Sequence, residues 1–131
     1  MIGRETIERV LAALNAAENS LPHATVDAVI SAIDRTMSQG VEGWMNGDHR
    51  PDREAERMIE RLLFADLPDY HRSIERMIID PPFASIAWRL SGTSRALGRA
   101  VAVMGCSQFQ FDDDGRIARY WIYVDQSWLR G

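Results

Sequence analysis

The stretch FQFDDDGRIARYWIYVD, residues 109–125, reads as two strands folded back on each other. Residues 99–111 and 116–125 are rich in the aromatic and β-branched side chains that suit a pleated, half-buried surface. DDDG at 112–115 separates them, and Gly115 suits the positive φ of a short hairpin with a bulge. In the second strand, alternation puts Trp121, Tyr123 and Asp125 on one face and Tyr120, Ile122 and Val124 on the other. An aspartate closing so apolar a strand has two readings. It is a strand-end group bonded to the next amides or to one of the arginines, or it is the working group of a pocket walled by two aromatics. A dimer-facing sheet surface would carry the same pattern.

Working outward, FASIAWRLSG (83–92) alternates with Ala84, Ile86, Trp88 and Leu90 on one face, and YHRSIERMII (70–79) precedes it across Asp80-Pro81-Pro82. Upstream the period becomes helical. Ile7, Val10, Leu11 and Leu14 form one stripe; Val26, Val29, Ile30 and Ile33 form a second, starting near Ala24 or Thr25. Ala55, Met58, Ile59, Leu62 and Leu63 form a third, with Asp52 placed to cap it. The Arg and Glu residues between these positions are expected on a solvated face laced with local ion pairs. Residues 34–48 predict a short strand over 35–39 and then a glycine-rich loop holding Trp44, a core plug or a lid. The expectation is one α+β domain over residues 1–131, a cone-shaped roll of three N-terminal helices packed on a curved, mostly antiparallel sheet.

A net charge of −4 argues against a nucleic-acid partner or an anionic membrane surface. All fifteen basic residues are arginine, so no side-chain amine is available for a Schiff base. Cys106 is the lone cysteine, which excludes an intrachain disulfide and a cysteine-rich zinc site. No apolar run approaches the length of a membrane span or signal-peptide core, so the expected compartment is the cytoplasm.

The order of elements, with WRLSGTSR (88–95), Gly98-Arg99 and the 109–125 stretch, resembles the SnoaL-like polyketide cyclases of the nuclear transport factor two-like superfamily. That resemblance implies a cone enclosing an apolar cavity for a hydrophobic small molecule, and a homodimer. It implies an intramolecular aldol-type ring closure in which an aspartate on the last strand is acid and base, without metal or cofactor. By the Trp-x-x-x-Asp spacing this aspartate falls on Asp125. Aromatic walls would raise its pKa toward a useful range. Trp121, Tyr123, Gln39, Ser107 and Trp44 are the implied substrate-shaping residues.

The sequence departs from the pattern at Ser94, where an imidazole is expected, and at Tyr123, often a histidine. In the ketosteroid-isomerase branch the base and the protonated acid would fall on Gln39 and Ser107, neither of which does that work. The epoxide-hydrolase branch would need Asp34 and Asp125 around Arg89 or Arg119.

His23, His49 and His71 share no ligand spacing, and DDDG lacks the rest of a calcium loop. Cys106 lies opposite Ser107, Phe109 and Phe111 on its strand and reads as a packed thiol. The leading expectation is therefore an acid/base enzyme on a conjugated or polycyclic carbonyl compound. The alternatives are a non-catalytic small-molecule-binding module of the same fold, and a dimerisation protein whose cavity its own side chains fill.

Overall fold

The structure is a computed structural model that describes residues 2–125 and Ser127. Helix α1 (Arg4–Glu18) buries Ile7, Leu11 and Leu14, as their spacing predicts. After a 3₁₀ turn (Leu21–His23), α2 (Val26–Asp34) begins at Thr25, whose hydroxyl accepts the Ala28 N–H at 3.1 Å. Helix α3 (Arg53–Asp66) begins at Asp52 in the same manner, its carboxylate accepting the Glu54 N–H at 3.0 Å. Each cap satisfies an amide that a helix start leaves without a partner.

The strands are β1 (Met37–Met45), β2 (Asp48–Arg50), β3 (His71–Asp80), β4 (Phe83–Ser94), β5 (Arg99–Phe111) and β6 (Ile117–Val124). They form one curved sheet in the order β2-β1-β6-β5-β4-β3, with β1 and β6 parallel and the other neighbours antiparallel. The three helices lie on its inner face, and the core between them includes Ile33, Phe64, Leu67, Ile86 and Ile117, each no more than 1 % exposed. The meander and its turns agree with the sequence reading to within a few residues.

Two elements differ from expectation. β1 does not stop near Gln39 but runs on to Met45, taking in the expected glycine-rich loop. Its glycines serve close approach, not a bend: the Tyr120 ring lies against Gly43, where any β-carbon would collide with it. The turn comes later, at Asn46-Gly47 with φ of 50° and 89°, a two-residue hairpin into β2.

Helix α3 is rotated from the predicted stripe, of which Leu63 still packs against the core. Of its predicted apolar stripe, Met58 is 60 % and Leu62 is 74 % exposed, whereas Arg53, Glu56 and Phe64 are buried. Phe64 sets this rotation by packing edge-on against Tyr70 at 5.1 Å, and its spacing from Glu56 and Arg53 carries those charges inward. Arg53 and Glu56, expected on a solvated face, are thus part of the interior.

Candidate functional site

The inward rotation of α3 creates a small polar chamber between the helices and the sheet. Its volume is about 60 Å³, room for a few waters and no more. Leu14, Ile33, Phe109 and Ile122 supply apolar wall, and Glu18, Arg53, Glu56, Glu60, Arg72, Ser107 and Tyr120 the polar part.

Arg53 organises one side. Its guanidinium donates to Glu60 through two bonds, Nη2 to Oε1 at 2.8 Å and Nη1 to Oε2 at 3.1 Å, and to Asp34 Oδ1 from Nε at 2.9 Å. Burial works against the Arg53 charge, but Glu60 and Asp34 outweigh it and raise the guanidinium above its usual range. At Glu60 burial wins: it pushes the carboxyl up to about 7 against the pull of Arg53, helped by the like charges of Glu18 and Glu56. Glu56 is 4 % exposed and takes a hydrogen bond from Arg50 Nε at 3.2 Å. Burial lifts its carboxyl above the usual range despite the opposing charges of Arg50 and Arg53. Burial, and then the Glu56 charge, push the Tyr120 phenol up, so it keeps its proton and remains a donor.

The far side is built on β3 and α1. Arg72 donates from Nε to Asn15 Oδ1 at 3.1 Å, and its Nη2 touches Glu18 Oε2 at 2.7 Å without hydrogen-bond alignment. Tyr70 donates its hydroxyl to Glu18 Oε1 at 3.1 Å. Asn19 brackets the Arg72 backbone, accepting from its N–H at 2.7 Å and donating to its carbonyl at 2.8 Å, which fixes α1 to β3. On the sheet, Trp88 Nε1 donates to Ser107 Oγ at 2.9 Å.

Of the residues singled out from sequence, Ser107 alone lines this chamber. Trp121, Tyr123 and Asp125 do share a face, but it is the outer one; Tyr120, Ile122 and Val124 face the core. The fold turns β6 this way because Tyr120 occupies the hollow over Gly43. Asp125 is exposed, its carboxylate accepting the Ser127 N–H at 2.9 Å, a bond that holds its pKa below the usual range. The local-capping reading describes it, and the aromatic-walled pocket does not. Tyr123 is 47 % exposed. Trp44 is neither plug nor lid: it stacks on the outer face between Trp121 at 5.3 Å and His49 at 4.8 Å. Gln39 is exposed in an outer groove. The Asp–Arg–Asp set does not assemble, since Asp34 pairs with Arg53 and Arg57, Arg89 with Glu75, and Arg119 with Glu42.

Ser94, standing where an imidazole is expected, is a structural residue 1 % exposed. It donates to Asp66 Oδ2 at 2.7 Å and accepts the Leu97 N–H at 3.0 Å, tying the β4–β5 turn to the end of α3. Among the described residues no group of three His, Cys, Asp or Glu is arranged to hold a metal ion, and no helix is long and apolar enough to cross a membrane.

A conical sheet closed by three helices around an inner chamber is the architecture of the NTF2-like proteins. Within that class, the SnoaL-like domain model matches residues 7–120, and the chain belongs to the SnoaL-like family. No curated protein matches the sequence. Among solved structures, a SnoaL-like polyketide cyclase from Agrobacterium tumefaciens is similar at 22 % identity and a TM-score of 0.69, covering 95 % of this chain and 94 % of that one. TsrD from Streptomyces laurentii gives 18 % and 0.79 over 99 % and 96 % of the two chains. An NTF2-like protein of unknown function from an Exiguobacterium species gives 14 % and 0.75 over 89 % and 98 %. At these identities the likeness concerns the fold.

Proposed function

We propose that the inner chamber is the site of a cytoplasmic SnoaL-like enzyme that moves a proton beside the carbonyl of a conjugated or polycyclic small molecule, the chemistry of a polyketide cyclase. Glu56 is the acid and base, and the Tyr120 phenol is the donor to the carbonyl oxygen as it gains charge. The observation that carries this reading is Glu56 itself, a carboxyl 4 % exposed, raised by burial and lining a cavity. Burying such a charge costs stability, so a cluster of them in a cone that apolar residues could fill favours a working site. Carbanion formation next to a carbonyl needs a base stronger than an ordinary carboxylate and a neutral donor; burial raises Glu56 in that direction and keeps the Tyr120 phenol protonated.

The test is exchange of the α-protons of cyclohexanone in D₂O, followed by ¹H NMR. The wild type should accelerate exchange over buffer, Glu56→Gln should lose about 100-fold of that acceleration, and Asp125→Asn should keep it. Exchange that survives Glu56→Gln would overturn the assignment.

Side chains leave the chamber only about 60 Å³, which favours the alternative of a dimerisation protein whose cavity its own side chains fill. Absence of both ketone binding and exchange would select it. In both readings the protein acts as a homodimer through the outer sheet face, where Ile78, Phe83, Met104 and Tyr123 are 47–60 % exposed. Equilibrium sedimentation tests this, and a monomer at micromolar concentration would rule it out.

A further inference from the structure

The chamber is too small for a polycyclic molecule as it stands, which raises the question of where the rest of a ligand goes. Outside it, between α2, α3 and the start of β1, lies an open groove of about 530 Å³. Arg53 and Met37 line both spaces, so one layer of side chains separates them. We propose that groove and chamber are the two halves of one ligand site, joined when Arg53 swings aside. Its ligand is a neutral, oxygen-rich compound whose carbonyl end enters the chamber while its body stays in the groove. The identity of the entering group rests on the function proposed above; the two-part site does not.

The walls of the chamber differ in whether they can move. Leu14, Ile33 and Phe109 are 1–4 % exposed and belong to the close-packed core, so parting them would cost dispersion contacts and open voids. Arg53 is different, a long side chain held by ion pairs at its tip. Asp34, its partner on the groove side, is 29 % exposed and already shares its other oxygen with Arg57 at 3.0 Å. The groove also offers the carboxylates of Asp52 and Glu54. Moving outward, the guanidinium keeps Asp34 and exchanges Glu60 for these groups. The Glu60 carboxyl it leaves behind, already raised to about 7 by burial, takes up a proton, so neither partner stays as an unpaired buried charge.

The lining also sets the class of ligand. The groove places Arg53, Arg57 and Arg116 against Asp34, Asp52 and Glu54, a balance that gives no net pull on either sign of ion. Ser38 and Gln39 add uncharged hydrogen-bonding groups that suit hydroxyl or keto oxygens. Gln39, singled out from sequence as a ligand-orienting residue, acts in this outer half.

The test uses full-length ¹⁵N-labelled protein and cyclohexanone, with the Trp88 Nε1–H signal as reporter, since that group is bonded to Ser107 on the chamber wall. Ser38→Trp, a change at the groove surface, fills the outer half. The association rate from line shapes should fall at least tenfold in Ser38→Trp and rise in Arg53→Ala. Should Arg53→Ala fail to fold, Ser38→Trp carries the test alone. An unchanged rate in Ser38→Trp overturns the two-part site, and so does the absence of any Trp88 response in the wild type. Loss of the Glu56 effect on proton exchange, with these rates as expected, overturns only the catalytic reading.

Discussion

Replacing Glu60 with glutamine removes one buried negative charge from the interior and leaves the side-chain shape unchanged. In the folded protein the Glu60 carboxyl is raised from 4.5 to about 7. The folded state therefore holds this proton more tightly than the unfolded chain does. The stability that results is fully present below about pH 4.5 and is lost as pH rises through about 7. A rise of that size corresponds to about 3 kcal/mol, each pKa unit being worth about 1.4. The side chain is 17 % exposed, so solvent screening takes only a small part of this. Glutamine does not titrate, and removing the Glu60 charge also relieves Glu56, which changes the result in the same direction.

The quantity to measure is the stability difference between wild type and Glu60→Gln, from urea unfolding at intervals between pH 4.5 and 8. It should shift against the wild type by about 3 kcal/mol over that range. Taking the difference cancels the other carboxylates, including Asp66 and Asp69, whose hydrogen bonds to Ser94 and Thr93 lower their pKa and act in the opposite sense. A difference that stays flat, or moves in favour of the wild type as pH rises, would refute the reasoning. It would mean that Arg53 stabilises the Glu60 charge more than burial penalises it.

The rotation of α3 separates two neighbouring substitutions. Phe64→Ala should cost about 3–5 kcal/mol as a buried aromatic, whereas Leu62→Lys, at a site 74 % exposed, should stay within about 0.5 kcal/mol; the reverse order in chemical denaturation would put the helix the other way round. Gly105→Ala drives a β-carbon into the Trp88 ring and should cost about 1–3 kcal/mol, with a displaced Trp88 indole signal. Ser94→Ala removes two part-buried hydrogen bonds and should cost about 1–3 kcal/mol without altering ketone binding.

Most of the fold is legible in the sequence because its signals are local. The β3–β6 meander follows from period-two alternation and turn residues, and the first two helices from stripes whose phase matches their burial. The site is hidden for a related reason. Periodicity reports that α3 is amphipathic, but the helix is rotated from its apolar stripe, leaving Met58 and Leu62 exposed while Leu63 packs against the core, and only the packing of Phe64 on Tyr70 shows this. Arg53, Glu56 and Glu60 follow the spacing of an inward stripe, with Phe64 continuing it. A sequence reader expecting charges in water assigns them to the surface. Likewise, alternation groups Trp121, Tyr123 and Asp125 correctly, but nothing local says which face of β6 turns inward. That is decided across the sheet, where Gly43 on the neighbouring strand leaves room for the Tyr120 ring. The glycines of β1 look like a loop for the same reason: their role lies across the sheet, not along the chain.

In the proposed site, ligands meet this protein in its interior and not on the outer face of β6. Two indoles distinguish the alternatives within one spectrum, Trp88 bonded to the chamber wall and Trp121 stacked outside. Titrating ¹⁵N-labelled protein with cyclohexanone should move the Trp88 Nε1–H resonance and leave that of Trp121 in place. A shift confined to Trp121, with Trp88 unmoved, would return the site to the outer face beside Asp125 and contradict the account.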